Sequence, residues 1–247
     1  MTQEMKGLLL EDRWAPVTSE MGFLELGAEQ AAQAFATWQR GLMTPRGITV
    51  EVLPVSGTLE QVLSSLLPLT SGERQRRYLF IPTRSGWTAY VENGWTGTDA
   101  ASHISYMARR LSIRCLRVVA VPHTLRKDGG GRYGGVMLDV FGPAQPGKIS
   151  NTVRAIEVAN DGGRWVFVQS GEPFAFEQVE KYQERRVRDR FTFEMLKDYL
   201  RHLGLSPFEE DFYLPPGSCA WLIQKTGPFA PGHKEYTLEE ARAARVL

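Results

Sequence analysis

Val153-Arg154-Ala155-Ile156-Glu157-Val158-Ala159, then Asn160-Asp161-Gly162-Gly163, then Arg164-Trp165-Val166-Phe167-Val168-Gln169 follow one another in the chain, and their reading decides the fold. The two outer runs are rich in β-branched and aromatic residues. The Asp-Gly step between them tolerates the positive φ of a tight hairpin turn, so the runs are predicted to pair antiparallel.

Working outward toward the N-terminus, residues 133–141 read as strand and residues 115–122 as a strand buried on both faces. Residues 99–111 read as a helix with Ile104, Met107, Ala108 and Leu111 on one stripe. Residues 77–82 and 87–92 read as two paired strands, closed by the turn signal Asn93-Gly94. Thr58 and Gln61 form a capping box for a helix over residues 59–67, which Pro68 ends. Ile48, Val50 and Val52 alternate with polar residues as a strand broken by Gly57. Residues 28–40 place Ala31, Ala34, Phe35 and Trp38 at helical spacing, with Gly41 as a left-handed cap.

Toward the C-terminus, residues 177–190 carry Val179, Tyr182 and Val187 among many charges and read as a helix. A second helix begins at Thr192, with Phe191 and Leu196 as its hydrophobic staple and Gly204 and Pro207 as its stop. The two are expected to pack as a pair, followed by a strand over residues 219–224 and a helix starting at Thr237. The fold expected is a single α+β domain over residues 1–247. It has a mostly antiparallel sheet of about five or six strands, helices packed on one side, and a helical C-terminal third.

Charge narrows the functional classes: 29 Lys+Arg stand against 28 Asp+Glu, which leaves no basic surplus for phosphates, so no nucleic-acid partner is expected. No uninterrupted apolar segment approaches the roughly 18 residues of a membrane span, and the run at residues 8–10 is too short for a signal-peptide core. No membrane association is therefore expected, and the expected location is cytoplasmic. Cys115 and Cys219 lie in apolar runs and read as reduced core thiols.

Chemical motifs are sparse. His103, His123, His202 and His233 lack partners at metal-ligand spacing, so no metal and no cofactor is expected; Asp198 stands four residues before His202 at ion-pair spacing. Lys127-Asp128-Gly129-Gly130-Gly131-Arg132 could aim amides at an anion, but no Gly-Lys-Ser/Thr opens a helix after it, and it reads as a hairpin connection. Ser170-Gly171-Glu172 and Thr83-Arg84-Ser85-Gly86 lack the nucleophile elbow. Arg185-Arg186-Val187-Arg188-Asp189-Arg190 reads as a salt-bridged helix face. Trp95, in a loop, reads either as an interface anchor or as packing over the sheet edge.

The run Gly86-Trp87-Thr88-Ala89-Tyr90-Val91-Glu92-Asn93-Gly94, the helix end Arg109-Arg110-Leu111, the strand over residues 116–122, and Arg164-Trp165-Val166-Phe167-Val168-Gln169-Ser170-Gly171-Glu172-Pro173-Phe174 resemble bacterial immunity proteins. Those are encoded beside secreted polymorphic toxins, including type VI secretion effectors, and the resemblance spans roughly residues 76–215. It implies a cytoplasmic protein that binds a cognate toxin stoichiometrically, without catalysis. A toxin acting inside the cell, such as a nuclease, fits the expected location, and inhibitors of nucleases present carboxylates that compete with phosphates for a basic cleft. Glu209, Glu210 and Asp211 form the densest acidic patch, and Glu92 and Asp99 flanking Trp95 form a second candidate contact. Two other readings stay open: a scaffold or ligand-sensing domain, and an enzyme with a site assembled from dispersed residues such as His123, Arg132 and Asp161. An exposed apolar strand edge would also allow self-pairing, and hence a homodimer.

Overall fold

The computed structural model describes residues 5–125, 131–144 and 146–243. In chain order its elements are β1 (Glu20–Leu24), α1 (Ala28–Met43), β2 (Thr49–Val55), α2 (Leu59–Ser64), β3 (Leu69–Thr70), β4 (Arg77–Pro82), β5 (Thr88–Glu92) and α3 (Ala100–Leu111). There follow β6 (Cys115–Val121), β7 (Gly135–Phe141), β8 (Thr152–Asp161), β9 (Arg164–Ser170), α4 (Phe193–His202), β10 (Ala220–Thr226), β11 (Glu235–Tyr236) and α5 (Leu238–Ala243).

Nine strands form one antiparallel sheet in the order β2-β10-β4-β5-β1-β6-β7-β8-β9, with β11 and β3 as a separate short pair. The hairpin expected over residues 153–169 is present as β8 and β9. Asp161 stands opposite Arg164, and Gly162 and Gly163 take φ of 57° and 96° in the two-residue turn between them. Asn160 locks the turn by accepting the Gly163 amide through Oδ1 at 2.9 Å.

The sheet is larger than the five or six strands expected, and helices cover both of its faces rather than one. Side-chain alternation explains this. Tyr78, Phe80 and Tyr90 point to one face, where α1 and α3 cover them; Leu79, Ile81, Ala89 and Val91 point to the other, against α2 and α4. Both sets are apolar, so neither face of the central strands can be left to water. β1, which the sequence reading did not place, fills the middle of the sheet between β5 and β6. It is short, and its Gly22 leaves room for Ile104 of α3: a Cβ there would lie 2.5 Å from Ile104 Cγ1.

The C-terminal third is not helical as a whole. β10 enters the sheet between β2 and β4, and residues 177–190 form two 3-10 turns, Val179–Gln183 and Val187–Asp189, instead of a helix. The reason lies in Arg154, whose buried guanidinium draws in Glu177 while Tyr182 donates to the same carboxylate. On an α-helix those two residues, five apart, would diverge by about 140°. The buried ion pair overrides the local pattern. α4 is capped as expected, Thr192 Oγ1 accepting the Met195 amide, and Gly204 follows in a left-handed conformation. α1 runs through Gly41 to Met43, and the left-handed turn falls at Gly47 instead. The capping box at Thr58 and Gln61 is complete, but α2 stops at Ser64, before Pro68. Cys115 and Cys219 are free.

Candidate functional site

The acidic patch at residues 209–211 sits on an exposed 3-10 turn after α4 that is pinned to the sheet from several sides. Arg84 donates its amide to the Phe212 carbonyl at 2.9 Å and its Nε to the Asp211 carbonyl; the Leu214 amide reaches the Pro82 carbonyl at 2.9 Å. Tyr213, buried beneath, donates its hydroxyl to the Pro207 carbonyl at 2.7 Å. Burial raises the Tyr213 pKa, so the phenol keeps the proton that makes this bond. Glu209, Glu210 and Asp211 are exposed, and none has an ion-pair partner among the described residues. Glu209 also borders a hollow of about 230 Å³ with Lys197 and Arg201, but Lys197 is engaged by Glu194 at 2.8 Å. The result is a ledge with a pinned backbone and three exposed carboxylates that have no ion-pair partner among the described residues.

The second candidate group does not assemble in the same way. Glu92 is 2 % exposed and fully engaged: Arg76 pairs with it, Tyr90 donates to its Oε2 at 2.7 Å, and its Oε1 lies 3.4 Å from the Asp99 amide. Trp95 is half-buried and stacks on Tyr236, with ring centroids 4.9 Å apart. Asp99 alone of the three is an exposed carboxylate.

Glu92 belongs to a buried polar network beneath α1 and α3. Because Tyr90 donates to Glu92, His103 Nδ1, 2.7 Å away, is left to donate to the Tyr90 oxygen. Beside it Lys225, fully buried, donates to Tyr78 at 2.6 Å and to Glu73 at 3.1 Å, and Tyr78 passes its own proton toward Glu73 at 2.8 Å. Burial pushes the Tyr78 and Tyr90 phenols well above the usual value, with Glu73 and Glu92 adding to it. Burial likewise lowers the Lys225 ammonium, with Glu73 opposing it; at Glu73 burial acts upward, but Lys225 and Arg76 outweigh it and hold the carboxyl low.

Among the described residues four buried side-chain atoms lack a hydrogen-bond partner, and three of them, Gln75 Oε1, Arg76 Nε and His233 Nε2, belong to residues around this network. Gln75 lines a small polar pocket of about 150 Å³ with Thr70, Arg77, Asn93, Lys225 and Glu235. Gly72 brings His233 and Gln75 together, since a Cβ there would meet His233 Nδ1 at 2.5 Å and Gln75 Oε1 at 2.9 Å. No sequence signal marked this pocket, because its walls come from two remote stretches of chain, residues 68–93 and residues 225–235.

The dispersed trio of His123, Arg132 and Asp161 comes only partly together. Arg132 and Asp161 line an open groove of about 550 Å³ with Ser19, Thr96, Tyr133 and Asn160. Arg132 is already committed to Asp12 at 2.8 Å and to Ser19 at 3.3 Å. His123 accepts the Gly134 amide through Nδ1 at 3.2 Å and packs on Trp165. Residues 127–130 of the glycine-rich run lie outside the described residues. His202 meets the Asp198 carbonyl oxygen rather than its carboxylate and stacks on Phe176. Among the described residues no three His, Cys, Asp or Glu gather as metal ligands, and no helix is long and apolar enough to cross a membrane. Comparison of the chain with protein-family models, with curated proteins and with solved structures finds no match in any of the three.

Proposed function

We propose that this chain is a non-catalytic binding protein that neutralises a cognate toxin by stoichiometric contact, as the resemblance to immunity proteins implies. The observation that carries the reading is the ledge at residues 209–211. Glu73, Glu92, Glu177 and Arg154 are paired inside the fold, whereas these three carboxylates stand in solvent on a pinned backbone, without an ion-pair partner among the described residues. Such a surface suits a basic cleft that normally receives phosphate, as in a nuclease effector acting in the cytoplasm, because clustered carboxylates complement its cations and a backbone already pinned has little freedom left to lose on docking.

The test is co-expression with the product of the adjacent gene, read as growth rescue and as an equimolar complex on size exclusion. Glu209→Lys with Glu210→Lys is expected to weaken that complex mainly by slowing association, roughly tenfold or more, with a reduced salt dependence. Unchanged association kinetics would remove the ledge as the contact; a harmless neighbour, or undiminished killing, would remove the immunity reading.

A second reading, a ligand-sensing domain, draws on the unpartnered Gln75 Oε1 at the wall of the 150 Å³ pocket. A thermal-shift screen of small polar metabolites tests it: a hit abolished by Gln75→Leu would favour this reading over the first.

A further inference from the structure

The nine-stranded sheet has two edges, and they are protected unequally. β2 carries Pro54, which has no amide proton to offer, and the exposed charge of Glu51. β9 has neither device. It runs for seven residues without proline, and its single charge, Arg164, is its first residue. Val166 and Val168 stand exposed on one face, at 36 % and 53 %, while Trp165 and Phe167 pack inward on the other.

The register of the hairpin decides which backbone groups are free. Asp161 and Arg164 flank a two-residue turn and form a narrow hydrogen-bonded pair, so Val166, Val168 and Ser170 also direct their amides and carbonyls toward β8. The groups of Trp165, Phe167 and Gln169 point outward, and no backbone hydrogen bond joins them to another described residue.

We propose that β9 is a homodimer interface, in which it pairs antiparallel with β9 of a second copy about a two-fold axis at Phe167. The argument for a second copy is self-complementarity. An axis at Phe167 aligns the outward groups of Trp165, Phe167 and Gln169 with those of the second copy as narrow pairs, which fills every free group of the strand. The same axis sets Val166 opposite Val168 of the second copy, twice over, and merges the exposed valines into one apolar cluster. Arg164 falls opposite Ser170, so the only charge on the strand does not meet itself. A one-residue slip would lose all three matches. This inference does not depend on the toxin-binding reading.

The test uses sedimentation velocity on the full chain across the micromolar range. The unaltered protein is expected to show a concentration-dependent dimer. Val166→Lys with Val168→Lys sets like charges directly opposite each other and is expected to raise the dimer dissociation constant roughly tenfold or more. Val166→Lys with Val168→Glu sets opposite charges across the axis and is expected to restore the dimer. Both valines face solvent in the monomer, and unchanged circular dichroism would confirm that the fold survives. A protein that stays monomeric at the highest concentration overturns the proposal, as does a dimer indifferent to the double lysine variant or not restored by the charge-paired one. Strand capture by a different protein alone would appear as the first of these outcomes.

Discussion

Arg154 has no exposed surface, and all five of its N–H donors are used. Nε and one Nη grip Glu177 at 3.0 and 2.7 Å, and the remaining donors reach Gln169 Oε1 and the carbonyls of Ser170 and Gly171. Glu177 in turn accepts from Tyr182 and from the Phe174 amide, so neither charge is left short of partners. Removing one partner strands the other in the core. Arg154→Met is expected to cost about 3–5 kcal/mol in chemical denaturation, and adding Glu177→Leu is expected to recover much of it. The pH dependence carries a sign that separates this from a simple cavity. Burial acts to raise the Glu177 pKa, but Arg154, the Phe174 amide and Tyr182 together hold it below 4.5 in the fold. Its contribution is therefore present above 4.5 and lost as pH falls through the folded value. Without Arg154, burial weighs against the ionised carboxylate, so the gap between Arg154→Met and the unaltered protein should narrow as pH falls, above 4.5 as the unpaired carboxyl of the variant takes up its proton and below 4.5 as Glu177 of the unaltered protein does. A gap that stays constant would show that the charge pair is not its source.

At the scale of elements, the contact between β1 and α3 rests on a missing side chain. Ile104 is buried over Gly22, and Glu20, two residues earlier, accepts the Ala100 amide at 2.6 Å where α3 begins. Gly22→Ala must displace a β-branched side chain that has nowhere to go, and a loss of about 1–3 kcal/mol is expected. Ile104→Ala in the same chain should recover part of that loss, although alone it destabilises; strictly additive losses in denaturation would exclude the clash. Contacts of this kind also set the limit of what could be read from the chain. The hairpin at Gly162-Gly163 and the caps at Thr58 and Thr192 were legible because each closes within a few residues. β10 was legible as a strand but not in its place between β2 and β4, which depends on partners far away in sequence. The helix read over residues 177–190 failed because Arg154, remote in sequence, captures Glu177 and spoils its periodicity. For the candidate site the same rule holds. Exposed Glu209, Glu210 and Asp211 could be picked from charge alone, whereas the engagement of Glu92 with Arg76, 16 residues away, could not.

At the scale of the whole molecule, phenols buried on both sides of the sheet make the fold sensitive to alkali. Tyr78 and Tyr90 lie under α1 and α3, while Tyr182, Tyr199 and Tyr213 lie on the opposite face, and burial raises the pKa of all five above 10.0. The unfolded chain releases these protons near 10.0 and the folded one retains them. Their contribution is thus complete below pH 10 and is lost as pH rises toward the folded values. Lys225 acts in the opposite sense, because burial lowers its pKa below 10.5, so the fold gains from it only until the unfolded lysine has also lost its proton. Beyond that point the phenols act alone. Each costs up to about 1.4 kcal/mol per pH unit, about 7 kcal/mol for five, against a total stability of roughly 5–15 kcal/mol for an ordinary protein. Unfolding is expected within about two pH units above 10. Tyrosinate absorbance followed together with far-ultraviolet circular dichroism checks this: five of the eight tyrosines should ionise in one cooperative step that coincides with loss of the dichroism signal. Tyr213→Phe should move that step to higher pH while loosening the turn that carries Glu209, Glu210 and Asp211, since the Tyr213 hydroxyl ties that turn to Pro207. Smooth ionisation of all the phenols near pH 10 with the dichroism intact would show that water reaches them, and the two-sided packing derived for the central strands would have to be abandoned.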